Sequence, residues 1–272
     1  MSKFGKRLLR SVGIELRPCA PVPLFRKSVH YLHIGKTAGT QIGHVIAQVN
    51  SAQNGLAIIK NGHGTTLKSL PQDAAYFFSV RNPIARFRSG FYSRKRMGRP
   101  RLNNPWSPSE AQVFNEFEDA NDLAEALFRS DARGQKAVSA MMTIGHIGNL
   151  QIDWFKKAGD IFMLRPPVWI IRQEHLEADI KILLQRLGIQ KTVTLTSDPK
   201  MAHVNDYAGI PRLSDQAVTN LQQWYCADIQ FYAHLEAWMA ENQVRSGVPA
   251  FAHQGTGDDN GLASNPNRAI KL

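Results

Sequence analysis

The sequence predicts an α/β domain of three layers, α/β/α, around a central, mainly parallel sheet. Three observations carry that expectation. An apolar run at Tyr31–Ile34 feeds a glycine-bearing loop and then an amphipathic stretch. A second apolar run, Ala74–Val80, feeds Asn82-Pro83 and another amphipathic stretch. The chain has 272 residues, 43% hydrophobic and 20% charged, enough for one substantial α/β domain with insertions. No internal repeat is evident.

The first unit is YLHIGKTAGT, Tyr31 to Thr40. Ile42, Val45, Ile46 and Val49 follow at i, i+3, i+4 and i+7, one face of a helix. Strand, tight loop and helix therefore succeed one another. Backbone N–H groups at a helix N-terminus favour a phosphate or sulfate. Gly35 and Gly39 let the backbone approach an anion closely. Lys36 adds a point charge, and Thr37 and Thr40 add hydroxyl donors. Gly35-Lys36-Thr37 invites comparison with the Walker A loop. That pattern needs a glycine five positions before its Gly-Lys pair, and His30 stands there. The loop is too short for a nucleotide triphosphatase.

In the second unit, Asn82 reads as a helix N-cap and Pro83 as the first helical residue. Ile84, Phe87 and Phe91 make one stripe, while Arg86, Ser89 and Ser93 share another face. Arg81 falls at the C-terminal end of the strand, the edge where open α/β sheets collect ligands. An arginine fork suits a phosphate, and a serine hydroxyl adds a donor. Between the units, Ile58-Ile59 runs into Gly62-His63-Gly64, a strand leading to an exposed loop.

Taken together, these residues resemble the sulfotransferases that use 3′-phosphoadenosine-5′-phosphosulfate (PAPS). HIGKTAGT, His33 to Thr40, is similar to that family's 5′-phosphosulfate loop, a Pro-Lys-Thr-Gly-Gly-Thr run. Arg81 and Ser89, eight apart around an Asn-Pro, resemble its 3′-phosphate motif. The nearest branch is the carbohydrate one, sulfotransferase family 2, with its heparan 2-O- and chondroitin-type enzymes; this chain looks like a bacterial-type soluble member. Gly35 replaces the usual proline, Ala38 a usual glycine and Asn82 the common Asp.

The resemblance implies a P-loop-like fold and a set of donor-binding residues: Gly35, Lys36, Thr37, Ala38, Gly39, Thr40, Arg81 and Ser89. It makes His63 the general base and Lys36 the second catalytic group. An imidazole, titrating near neutrality, suits a base. PAPS is then a co-substrate, 3′,5′-adenosine bisphosphate (PAP) the nucleotide product, and the acceptor a hydroxyl of a glycan or glycoconjugate. No metal and no nucleic acid are expected. Two other readings compete: a nucleotide kinase on similar architecture, and a basic protein that binds polyanions or membrane surfaces without catalysis.

The formal charge is +11, from 33 Lys and Arg against 22 Asp and Glu. Such a field attracts an anionic donor. The densest cluster is Arg86, Arg88, Arg94, Lys95, Arg96, Arg99 and Arg101. Cys19 and Cys226 give neither a disulfide framework nor ligand spacing, which points to a reducing cytoplasm. No run of 18 apolar residues exists. Residues 1–24 form a basic segment without a signal-peptide core, of which 1–18 can lie on an anionic membrane. Cytoplasmic residence, with peripheral contact at the inner membrane face, is expected.

The remaining elements follow in order. Gly98–Glu110 reads as an irregular loop, Phe114–Phe128 and Asn149–Lys157 as helices, and Val168–Ile171 as a strand. Glu174 reads as part of a strand-to-helix turn. Leu176–Leu187 is the clearest helix, stopped by Gly188. Asp198–Pro211 reads as a loop near the donor, and Ser214–Ala240 as one long helix. The domain plan is thus 1–24, a catalytic domain at 25–243, and a polar tail at 244–272.

Overall fold

A computed structural model describes residues 27–51, 55–100, 102–156, 158–196 and 209–244. The segment 1–24, the tail beyond Val244 and most of the 198–211 loop lie outside the described residues.

Among the described residues, four parallel strands form one sheet in the order β2-β1-β3-β4. They are β1 (Lys27–Leu32), β2 (Leu56–Lys60), β3 (Ala75–Val80) and β4 (Ile170–Arg172). Helices flank the sheet, giving the three-layer α/β/α fold expected. Parallel strands must be joined by crossovers that bury both faces, so they read as continuous apolar runs. Tyr76, Phe77, Phe78 and Val80 of β3 are fully buried, as that rule requires.

Helix α1 (Gly39–Ser51) follows β1 and sinks Ile42, Val45, Ile46 and Val49 against the sheet. Helix α2 (Pro83–Lys95) follows β3. The Asn82 side chain accepts the N–H groups of Ile84 and Ala85, each at 3.1 Å, and so caps α2. The Asn82 N–H is itself held by Glu174 at 2.8 Å, whose other oxygen takes the Tyr232 hydroxyl at 3.1 Å. Glu174 is thus a tie between strand ends.

The stretch 98–128 departs from expectation. Ser107 and Glu110 form a capping box, so helix α3 (Pro108–Glu116) starts inside the segment read as loop and runs into the one read as helix. Asp119 caps a separate helix α4 (Ala120–Ala126), which splits the single helix expected at 114–128. Asp131 then caps α5 (Ala132–Thr143). Residues Gln151–Phe155 form one 3₁₀ turn, followed by α6 (Ile161–Leu164) and, after β4, by α7 (Leu176–Arg186). Gly188 ends that region at φ +70°. The long C-terminal helix is two: α8 (Asp215–Trp224) and α9 (Cys226–Val244), broken at Tyr225.

Two buried clusters result. One lies around the sheet, α1, α7 and α9 and includes Tyr31, Phe77, Phe78, Trp169 and Leu235. The other joins α2 to α3, α4, α5 and α8 through Phe87, Phe91, Phe117, Met141 and Leu221.

Candidate functional site

The strand order decides where the chemistry gathers. Central β1 lies between β2 and β3. Its C-terminal loop, 33–38, is therefore flanked by the loop after β2, carrying His63, and by Arg81 after β3. The crossovers run outward in opposite directions from β1 and β3, so the crevice between those two strands is the ligand-collecting edge of such sheets.

The loop is held from several sides. Tyr31 hydroxyl, Ser79 hydroxyl and Thr37 hydroxyl form a buried chain with 2.7 Å links, and Thr37 donates onward to the Ile34 carbonyl at 2.7 Å. Thr37 is wholly buried. Its hydroxyl therefore braces the loop from below. Lys36 and Ala38 both adopt left-handed backbone, at φ +70° and +65°. That conformation is unfavourable for residues with a Cβ and marks sites where surrounding structure dictates the path.

Gly39 is fixed by close approach. A Cβ there would stand 1.7 Å from Nε2 of His33. Gly35 faces two other imidazoles: its Cβ would stand 3.1 Å from His146 Nδ1 and 3.7 Å from His63 Nδ1. The α1 N-terminus carries no acidic residue in its first turn, so its positive dipole end is left uncompensated by a side-chain charge. The Thr40 position, on the first turn of that helix, belongs to the same end.

The second motif meets the first. Lys36 Nζ donates to Ser93 Oγ at 2.5 Å, and Arg86 Nε donates to the Gly35 carbonyl at 3.0 Å. The α2 face read from sequence as Arg86, Ser89 and Ser93 is thus the one laid against the loop, with Ser89 buried one turn before Ser93. Arg86 is 2% exposed and also donates to Asn149 O at 2.8 Å, so it acts as a strut. Arg81 is anchored through its backbone: its N–H goes to Gln151 Oε1 at 2.9 Å, and its carbonyl accepts from Gln151 Nε2 at 2.8 Å. Asp228, buried in α9, takes the N–H groups of Gln151 and Ile152 at 2.8 and 3.0 Å and completes that support.

The electrostatics follow from this crowding. Burial, then the charges of Arg96, Arg81, Arg94 and Arg86, push Lys36 down to about 8. Gathering that many cations is costly without a counter-charge, so the arrangement fits an anionic group. Arg94 itself is compensated: it grips Glu110 in a buried bidentate pair at 2.7 and 2.6 Å.

His63 lies at the exposed rim. Its Nδ1 is 3.1 Å from the His33 carbonyl. A carbonyl only accepts, so Nδ1 carries the proton and Nε2 keeps its lone pair. Its ring lies 3.9 Å from that of His33, centroid to centroid. Burial lowers its pKa against the raising effect of the His33 carbonyl, and Lys60 and Lys36 lower it further. His63 is therefore neutral at physiological pH, the form a base requires. Trp154 Nε1 donates to the His63 carbonyl at 3.0 Å and fixes the loop.

No family model matches the chain, and no curated protein is similar to it. The site must be read from its own geometry.

Four residues at the site escaped the sequence reading: His33 as the ring beneath His63, Ser93 as the partner of Lys36, Glu110, and His146. Two had a signal. Gly145-His146-Ile147-Gly148 repeats the glycine-flanked histidine that drew attention to His63, and Ser107-x-x-Glu110 is a capping-box pattern. Among the described residues there is no His, Cys, Asp and Glu cluster able to hold a metal, and no helix long and apolar enough to cross a membrane.

Proposed function

We propose that the chain is a sulfotransferase that moves a sulfuryl group from PAPS to a hydroxyl of a carbohydrate or glycoconjugate. The observation that carries the reading is the meeting of the two motifs. The Gly35–Thr40 loop and helix α2, which follows Arg81 and carries Ser89, meet beside a group of arginines through the Lys36–Ser93 and Arg86–Gly35 contacts. Arginines, a lysine and a helix N-terminus are the donor set a doubly anionic nucleotide needs.

In this reading the 33–40 loop and the α1 N-terminus hold the phosphosulfate. Arg81 and Ser89 hold the 3′-phosphate and so choose this donor over ordinary adenosine phosphates. His63 Nε2 takes the proton from the acceptor hydroxyl as its oxygen attacks sulfur. Lys36 neutralises charge arising on the departing phosphate oxygen, preorganised stabilisation of the kind that often dominates catalysis. The chain works in the cytoplasm, with residues 1–18 available to an anionic membrane surface.

Thermal stabilisation by PAP, compared with ADP and ATP, tests the donor. A ligand at 100 times its Kd stabilises by about 2.7 kcal/mol. The reading expects a selective shift with PAP. An equal or larger shift with ATP and Mg²⁺ favours a kinase, and no shift with any nucleotide favours a simple polyanion binder.

A further inference from the structure

The histidine at 146 has no place in the mechanism above, yet it stands beside the loop. It belongs to the turn that follows α5. Its Nδ1 lies 3.1 Å from the position a Gly35 Cβ would take, on the same glycine that faces His63. The rings of His63 and His146 are 6.2 Å apart, edge to face at 63°.

The turn is built to present this side chain. His146 adopts φ +76°, a left-handed conformation less costly for glycine. Both neighbours are pinned. Gly145 N–H donates to Glu110 Oε1 at 3.3 Å, and Tyr225 donates to the Ile147 carbonyl at 2.9 Å. Gly90 of α2 admits the turn, since a Cβ there would stand 2.5 Å from Ile147 Cγ2 and 3.7 Å from the His146 backbone carbonyl carbon. A strained residue that its surroundings over-determine is a candidate for function. Burial, then Lys36, His63, Arg86 and Arg94, lower its pKa to about 4, so the ring is a neutral donor at physiological pH.

We propose that His146 contacts the transferred sulfuryl group from beside the Gly35–Lys36 turn. Its ring N–H donates to a non-bridging sulfuryl oxygen, while His63 serves the incoming hydroxyl. This rests on the sulfotransferase reading. It adds a group that the sequence motifs do not contain.

The test is calorimetric titration of the full chain with PAPS and with PAP, which differ by the sulfuryl group. The variants are His146→Gly and His146→Asn. Glycine relieves the left-handed backbone, so His146→Gly keeps or raises Tm, and a binding defect cannot be assigned to misfolding. The expected result is PAP affinity within twofold of the parent and PAPS affinity lower by about tenfold, the loss of one hydrogen bond to a charged group. His146→Asn tolerates the same backbone, keeps an N–H donor and recovers part of the loss. If PAPS and PAP affinity fall together, or neither falls, His146 does not touch the sulfuryl group and the inference is overturned while the function stands. If the parent protein binds neither nucleotide, the functional reading fails and takes this inference with it.

Discussion

The sheet-centred core and the helical cluster meet at α2, and each contributes a different kind of residue to the site. From the sheet side come Lys36, His63 and Arg81, all on loops at the C-terminal ends of adjacent strands. From the helical side come Ser93, Arg94, Glu110 and His146, brought in by packing of α2, α3 and α5. The first group carries the proposed chemistry. Apart from His146, the second group sets its electrostatics and its limits: Ser93 receives the Lys36 ammonium, Arg94 is among the charges that lower its pKa, and Glu110 ties the His146 turn to α2. A site at such a seam can keep its chemistry on rigid strand ends while the second layer tunes it.

That division predicts unequal losses. Lys36→Ala should cost ~10²–10³-fold in turnover, the scale for removing one preorganised charge-stabilising donor. Release of PAP from PAPS measures it, and wild-type rates in the variant would end the proposed role. The shifted pKa adds a signature. A lysine held at about 8 is a cation below that pH and loses its charge as pH rises through it. The alkaline limb of kcat/KM should therefore fall near pH 8, and Lys36→Arg should abolish the limb even where it lowers the rate. His63 acts in the opposite sense, because its neutral form is the working one. Its lowered pKa keeps the base available below the ordinary histidine range near pH 6.5. His63→Ala should lose ~10²-fold or more in turnover with PAP affinity unchanged; affinity falling in parallel would make His63 a ligand contact.

The same division explains what the sequence could disclose. Strands, α1 and the N-cap of α2 were legible because their signals are local: the Ile42-Val45-Ile46-Val49 stripe, the Asn82-Pro83 cap, the Gly188 stop. Lys36, His63 and Arg81 sit within a few residues of such signals. The helical cluster is different. The Phe114–Phe128 stretch has enough apolar residues for one helix, and only the Asp119 cap, competing for the N–H of Asp122 at 2.9 Å, divides it. Thr37 reads as a ligand because a hydroxyl in a glycine loop has that chemistry. Its burial against Ser79 depends on β3, 42 residues away. No period or spacing encodes that pairing, nor the one that seats His33 against Gly39.

A smaller effect, on affinity alone, is expected at the other end of the crevice. Arg81→Ala should weaken PAP binding by about tenfold, the scale of one hydrogen bond to a charged group, and leave ADP binding nearly unchanged. Because the Arg81 backbone is held by Gln151, the strand end should survive the substitution. Equal weakening of both nucleotides would place Arg81 at a phosphate they share and move the 3′-phosphate site elsewhere.

The least effect on chemistry, and the largest on stability, should come from Glu110. It is 6% exposed and holds three things at once: the Arg94 fork, the Ser107 N–H at 3.1 Å and the Gly145 N–H. Glu110→Ala strands the Arg94 guanidinium in the interior. Breaking a buried pair in this way costs about 3–5 kcal/mol, so Tm should drop by roughly 10 °C, while turnover at low temperature falls less than tenfold. Replacing both partners, Arg94→Met with Glu110→Leu, removes the stranded charge and should recover much of the stability. It also removes a cation near Lys36 together with the carboxylate that compensates it. The two losses act on the Lys36 pKa in opposite directions, so the alkaline limb of kcat/KM should stay near pH 8. A double variant that regains Tm and moves that limb clearly upward would show that Arg94 tunes the lysine in spite of its partner, and the helical cluster would be more than scaffold.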